Sequence, residues 1–174
     1  ASGMSNYVRN VDALARRFRV IVPDMPGYGA SSKGLDQNDV FGDLATSMLR
    51  FLDALSIDSA HVVGNSLGGA CAIRMALDAP QRVRRLALMG PGGVGTTRAA
   101  PTKGLRQLIG YYKGKSPSVE KLRDFLNYLV FDPSLLSNEL INSRFKASID
   151  PEVIAAPPLQ GPKSLAAAFR MDFT

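Results

Sequence analysis

Ala60-His61-Val62-Val63-Gly64-Asn65-Ser66-Leu67-Gly68-Gly69 is the stretch that decides the fold. Its first half, AHVVG, is a short β-branched run of the kind that forms a buried strand. Residues 67–78 carry apolar side chains at helical spacing and stop before Pro80, whose ring disfavours helix in the residue ahead of it. Between strand and helix, Gly64-Asn65-Ser66-Leu67-Gly68 fits G-x-S-x-G. In that setting the motif predicts a nucleophile elbow, a sharp and strained turn that leaves the Ser66 hydroxyl exposed. Gly64 and Gly68 are small because neighbouring chain passes close on both sides of the turn. Gly69 lets the following helix pack tightly on the sheet. The backbone N–H of Leu67 is then one oxyanion-hole donor, worth about 3–4 kcal/mol where such donors have been removed. The helix beginning there adds the positive end of its dipole. A bare G-x-S-x-G arises often by chance; the strand before it and the helix after it give it weight.

Outward from the elbow the same alternation continues. Residues 19–23 (RVIVP) and 85–89 (RLALM) are predicted as two further strands, which with 60–64 makes three. Apolar periodicity predicts helices over 6–18 and 39–55, and residues 24–32 (DMPGYGASS) form a turn cluster. Strands alternating with helices imply parallel βαβ units with right-handed crossovers, an α/β class. Past Gly93 the texture changes: helical stretches remain near 105–112, 119–129 and 136–147, and no strand-like run follows. Two regions are therefore expected, a partial α/β core with the elbow over 1–95 and a mostly helical cap or lid over 96–174.

Composition narrows the function classes. The chain has 174 residues, 45% of them hydrophobic, enough apolar content for one globular domain. No apolar run is long enough for a membrane span, and nothing at the start reads as a signal peptide. The net charge of +6 comes from scattered basic residues, with short clusters at Arg16-Arg17 and at Arg82, Arg84 and Arg85. Without a basic tract or interleaved aromatic residues, nucleic acid is not an expected partner. One cysteine, Cys71, permits no intrachain disulfide and points to a reducing cytoplasm. One cysteine and one histidine do not make a structural zinc site, and no metal or cofactor is expected.

A serine hydroxyl needs a base, ordinarily a histidine, oriented by an acid, and with this elbow the chain order is Ser, then Asp or Glu, then His. The single histidine, His61, precedes Ser66 on the strand that leads into it. At about 3.3 Å per strand residue it lies well below the turn and reads as a structural histidine. Asp124, Asp132, Asp150 and Asp172 follow Ser66 but fall in the expected lid, and none can be assigned as the acid. By itself the chain is expected to be inactive or nearly so.

Three motifs together, Asp24-Met25-Pro26-Gly27-Tyr28-Gly29-Ala30-Ser31, Gly64-Asn65-Ser66-Leu67-Gly68-Gly69 and Met89-Gly90-Pro91-Gly92-Gly93, resemble those of the meta-cleavage product hydrolases. These are α/β-hydrolases that cut a carbon–carbon bond in 2-hydroxy-6-oxo-hexa-2,4-dienoates during bacterial breakdown of aromatic rings. The resemblance runs over nearly the whole chain. The first two motifs occur across α/β-hydrolases; Asn65 beside the nucleophile combined with MGPGG is narrower. The resemblance implies that Ser66 is the nucleophile and Leu67 its oxyanion-hole neighbour. It implies that Asn6 lines the substrate pocket, that Asn65 meets the dienoate head group, and that Ser134 and Arg144 contact substrate from the lid. An arginine suits a carboxylate because its fork of donors forms a bidentate pair. The implied partner is a small anionic dienoate, and members of the family often form homo-oligomers.

The departures are also informative. The family's His-Gly-Gly-Gly-Pro-Gly oxyanion segment, its catalytic Asp and His, and most of its roughly eight strands have no counterpart here, which would leave bare sheet edges. The expectation is an incomplete portion of a longer C–C hydrolase. The alternatives are an ester or epoxide hydrolase on the same fold, or a non-catalytic remnant that only binds.

Overall fold

Polar residues at the predicted helix starts set where the helices begin. A computed structural model describes residues 2–95, 101–113 and 117–174. In it α1 spans Gly3–Ala15, and Ser2 and Ser5 cap each other's backbone N–H groups reciprocally. That cap starts α1 three residues earlier than apolar spacing alone predicts. Asp39 caps α2 (Val40–Ala54) through the Gly42 N–H at 3.0 Å. Side-chain caps likewise open α4 (Lys103–Gly110) at Thr102, α5 (Val119–Leu129) at Ser118 and α6 (Asn138–Ser148) at Ser137. Two short helices that periodicity did not pick out, α7 (Pro151–Ala155) and α8 (Leu165–Arg170), are opened by Asp150 and Ser164.

The chain falls into two compact units, each made of two separate stretches: residues 1–34 with 102–158, and residues 35–101 with 159–174. The expected boundary between residues 95 and 96 adjoins 96–100, which lie outside the described residues.

The second unit holds the sheet. Strand β1 (Ala60–Asn65) runs into α3 (Leu67–Asp78), which returns the chain to β2 (Val83–Met89), parallel to β1. The register sets His61 opposite Arg85 and Asn65 opposite Met89. Ala70 and Ala72 on α3 are fully buried, and such small side chains let α3 lie close to β1 and α2. On α2, Val40, Phe41, Leu44 and Ala45 complete this core, and Phe173 stacks on Phe41 with ring centroids 5.5 Å apart. Arg74 of α3 reaches the α2 cap, bonding Asp39 at 3.1 Å while also pairing with Asp78. The basic cluster is partly absorbed inside the unit: Arg82 pairs with Asp53 at 2.7 Å and donates to the Ile57 and Asp58 carbonyls.

The prediction of a strand over residues 19–23 is corrected. That segment carries no strand, and the sheet among the described residues has two strands rather than three. RVIVP has the right side chains, but a strand exists only through its ladder, and no neighbouring strand pairs with this segment. Both faces of β2 are largely exposed, with Leu86, Leu88 and Met89 each more than a third accessible.

The first unit is helical. Tyr111, Leu122, Leu126 and Ile141 form its core, with Phe125, Leu136 and Phe145 packed against them. The start of α1 is tied down by Asp24, whose carboxylate accepts the Gly3 N–H at 2.7 Å and the Ala30 N–H at 2.9 Å. Those two amides, Ala30 foremost, hold the Asp24 carboxyl below the usual carboxylate range. The stabilisation is therefore present above the ordinary value of 3.8 and is lost as pH falls through the lower, folded-state value. Asp24→Asn is expected to cost about 1–2 kcal/mol at neutral pH in the full-length protein. Urea titrations at falling pH should show the gap from wild type closing only once the pH drops below the ordinary carboxylate range.

No helix among the described residues is long and apolar enough to cross a membrane.

Candidate active site at the strand-to-helix turn

Ser66 stands between the last residue of β1 and the first of α3 with φ +52° and ψ −115°. Only one other non-glycine among the described residues, Ser56, has a positive φ. Such a conformation costs a non-glycine residue about 1–3 kcal/mol and persists where the surroundings over-determine it. Here they do. The Ser66 N–H donates to the Met89 carbonyl at 3.0 Å, and the Ser66 carbonyl accepts from Ala70 at 3.1 Å and Gly92 at 2.9 Å. Both ends of the residue are thereby held, by the end of β2 and by the glycine-rich segment after it. Met89-Gly90-Pro91-Gly92-Gly93 thus has a mechanical role that its sequence did not disclose. The signal was its position just after a strand parallel to β1.

The glycines behave as expected at two positions. A Cβ on Gly64 would lie 2.7 Å from the Gly68 carbonyl carbon and from the Gly69 Cα, backbone atoms that cannot swing aside. A Cβ on Gly69 would meet Pro91 at 2.8 Å, so Gly69 admits the segment after β2 as well as the sheet.

Ser66 and Asn65 are exposed and Leu67 is half-buried. Among the described residues α3 starts without a side-chain cap, so the Ser66 hydroxyl is not spent on the helix end. The Leu67 N–H belongs to the first turn of α3, whose amides have no acceptor within the helix. An exposed hydroxyl beside such amides and a helix N-terminus can attack an electrophilic carbon and have the resulting oxyanion stabilised.

His61 is the second residue of β1, four residues before Asn65, which places it about 13 Å from that end of the strand. It is not at the elbow. Cys71 is no rival nucleophile: it is buried, and burial pushes its thiol up to about 12. Three of the four later aspartates serve backbone amides. Asp132 accepts from Ser134, Asp150 from Glu152, and Asp172 from Thr174; Asp124 is exposed on α5. A shallow concavity of about 480 Å³ between Asp53, Ser56, Asp58 and Arg82 lies at the opposite end of β1 from Ser66 and holds no nucleophile–base pair.

In the first unit Asn6 and Arg144, 138 residues apart in sequence, come together. The Arg144 Nη2 donates to the Asn6 Oδ1 at 3.2 Å. The Arg144 Nε is buried and has no hydrogen-bond partner among the described residues. Burial lowers the guanidinium from its ordinary value, so an anion brought beside it would meet a poorly solvated charge. A desolvated fork with an unused donor suits a carboxylate. Ser134 is exposed on a short turn, Pro133–Leu135, and its N–H and hydroxyl both turn to Asp132.

The profile of the alpha/beta hydrolase fold family matches residues 1–140. A 2-hydroxy-6-oxononadienedioate/2-hydroxy-6-oxononatrienedioate hydrolase from a Pseudomonas species is 45% identical over 84% of the chain and 52% of its own length. A crystal structure of a meta-cleavage product hydrolase from Pseudomonas fluorescens is 37% identical and superposes with a TM-score of 0.76, covering 87% of this chain and 53% of that one. A serine hydrolase from the polyaromatic-hydrocarbon-degrading bacterium Cycloclasticus zankles, 29% identical, superposes at 0.85 over 100% of this chain and 62% of its own. The chain spans about half the length of the curated relatives it matches.

Proposed function

Because the chain belongs to the α/β-hydrolase fold family, we propose that the full-length protein hydrolyses a carbon–carbon bond in a 2-hydroxy-6-oxo-hexa-2,4-dienoate, with Ser66 as nucleophile. The observation that carries this reading is the exposed, positive-φ Ser66 at the end of β1, braced by Met89 and Gly92. The substrate class comes from the relatives, which at 36–45% identity are named for such dienoates.

In this scheme the dienol first becomes its keto tautomer. Ser66, or a water activated with its help, then attacks the C6 ketone. The Leu67 N–H takes the negative charge that forms on the ketone oxygen. Cleavage adds the elements of water across the bond, leaving a carboxylic acid from the C6 side and a protonated dienoate from the other. The family resemblance assigns Asn65 and Arg144 to the carboxylate and 2-oxygen end and Ser134 to substrate contact from the lid; within the helical unit Asn6 orients Arg144. With His61 far down β1, the proton-moving histidine and its acid partner are assigned outside these 174 residues. Residues 1–95 serve as part of the catalytic core and 96–174 as cap. The scheme asks for no metal or cofactor, and a lone buried Cys71 fits a reducing cytoplasm.

The test is turnover of a ring-fission dienoate by the full-length protein, beside p-nitrophenyl esters. Hydrolysis of esters with none of the dienoate overturns the substrate assignment in favour of an esterase. Binding of either without turnover favours a non-catalytic module. Arg144→Gln is expected to raise KM for the dienoate about 30-fold or more, because it removes the charge that pairs with the carboxylate. An unchanged KM would remove Arg144 from the site.

A further inference from the structure

At the end of α6 two carbonyls accept side-chain hydroxyls: that of Phe145, which also takes the Ile149 N–H at 3.2 Å, and that of Ser148. Ser148 donates its hydroxyl proton to the Phe145 carbonyl at 2.7 Å. That proton being committed, the 2.8 Å contact between the Ser148 and Tyr111 hydroxyls has Tyr111 as donor. Tyr112 donates in turn to the Ser148 carbonyl at 3.2 Å. The two rings, at the end of α4, meet edge to face with centroids 4.9 Å apart, and Tyr111 belongs to the core that also buries Ile141 of α6. Burial raises both phenols from their ordinary value, Tyr112 to about 12, so both remain neutral donors at working pH. Arg144 lies one turn before Ser148, and next to Phe145, in the turn these bonds tie to the end of α4.

We propose that Tyr111 and Tyr112 are positioning residues for Arg144: by tying the last turn of α6 to the end of α4 through Ser148 they hold the guanidinium in place for the substrate carboxylate. This rests on the reading that Arg144 binds that carboxylate. A carboxylate pair made with both forks aligned loses affinity when its arginine is free to tilt, whereas the reacting centre at Ser66 is untouched. The effect therefore falls on KM.

The experiment is steady-state hydrolysis of the dienoate by the full-length protein carrying Tyr111→Phe, Ser148→Ala, Arg144→Gln and the Tyr111→Phe/Arg144→Gln pair. Tyr111→Phe and Ser148→Ala, which break the same bond from its two sides, should each raise KM about 3- to 10-fold with kcat within about twofold. In the double variant KM should equal that of Arg144→Gln alone, since Tyr111 has nothing left to position. If Tyr111 merely supports the fold, the two effects multiply instead, and the proposal fails while the role of Arg144 stands. If Arg144→Gln leaves KM at the wild-type value, the carboxylate assignment falls and the positioning role falls with it. Ser148→Ala leaves both tyrosines in place, so it reads the bond even if Tyr111→Phe were to fold poorly.

Discussion

Ser66→Ala in the full-length protein should lower kcat for the dienoate by about 10³-fold or more and leave KM nearly as it was. The substitution removes one oxygen from an exposed turn, and nothing in the backbone network depends on that oxygen. The Met89 carbonyl still receives the residue-66 N–H, and Gly92 still donates to its carbonyl. A loss confined to kcat is what removal of a group acting only at the transition state produces. Turnover within a few-fold of wild type would refute the nucleophile assignment. A companion variant separates chemistry from strain. Ser66→Gly should be equally inactive, yet unfold at higher urea than wild type by roughly 1 kcal/mol. Glycine adopts φ +52° without steric cost, relieving about 1–3 kcal/mol of strain against a chain-entropy loss of about 0.5–1 kcal/mol. A Ser66→Gly protein less stable than wild type would show that the turn stores no strain.

Gly64→Ala should be far more damaging than its single methyl suggests, costing about 3 kcal/mol or more. The new Cβ would sit 2.7 Å from the Gly68 carbonyl carbon and the Gly69 Cα. Relief requires β1 and the first turn of α3 to separate, and Ser66 lies between them. Stability and turnover should therefore fall together, as read by a urea midpoint and a dienoate assay on the same preparation. Gly110→Ala is the control. Nothing lies within 4 Å of its added methyl at the end of α4, so it should be neutral or stabilising by up to about 1 kcal/mol. Equal effects at the two positions would mean that crowding at the elbow does not set the cost.

Much of this was legible in the residues. AHVVG followed by a G-x-S-x-G and an apolar helix specified β1, the turn and α3, because each signal is local: β-branched side chains, small residues at a sharp bend, and a period of 3.6. The helix starts were encoded at Ser2, Asp39, Ser118 and Ser137, whose side chains cap amides three residues on. Periodicity alone misplaced the first helix start by three residues because it weighs apolar faces and ignores caps. The aspartates after Ser66 drew no catalytic assignment from sequence, and for Asp132, Asp150 and Asp172 their local amide partners give a physical reason.

What the residues determined by themselves is therefore the α/β alternation, the serine-bearing turn and the longer helices, all written in contacts between near neighbours along the chain. Tertiary structure alone decided that residues 19–23 join no ladder, that Met89 and Gly92 clamp Ser66, that Asn6 meets Arg144, and that two tyrosines bond Ser148 at the end of α6. The last three are pairings between groups distant in sequence, and the first is the lack of one. Such a pairing exists only once packing has paid the entropy of bringing its partners together, and no periodicity in one segment records where its partner will be.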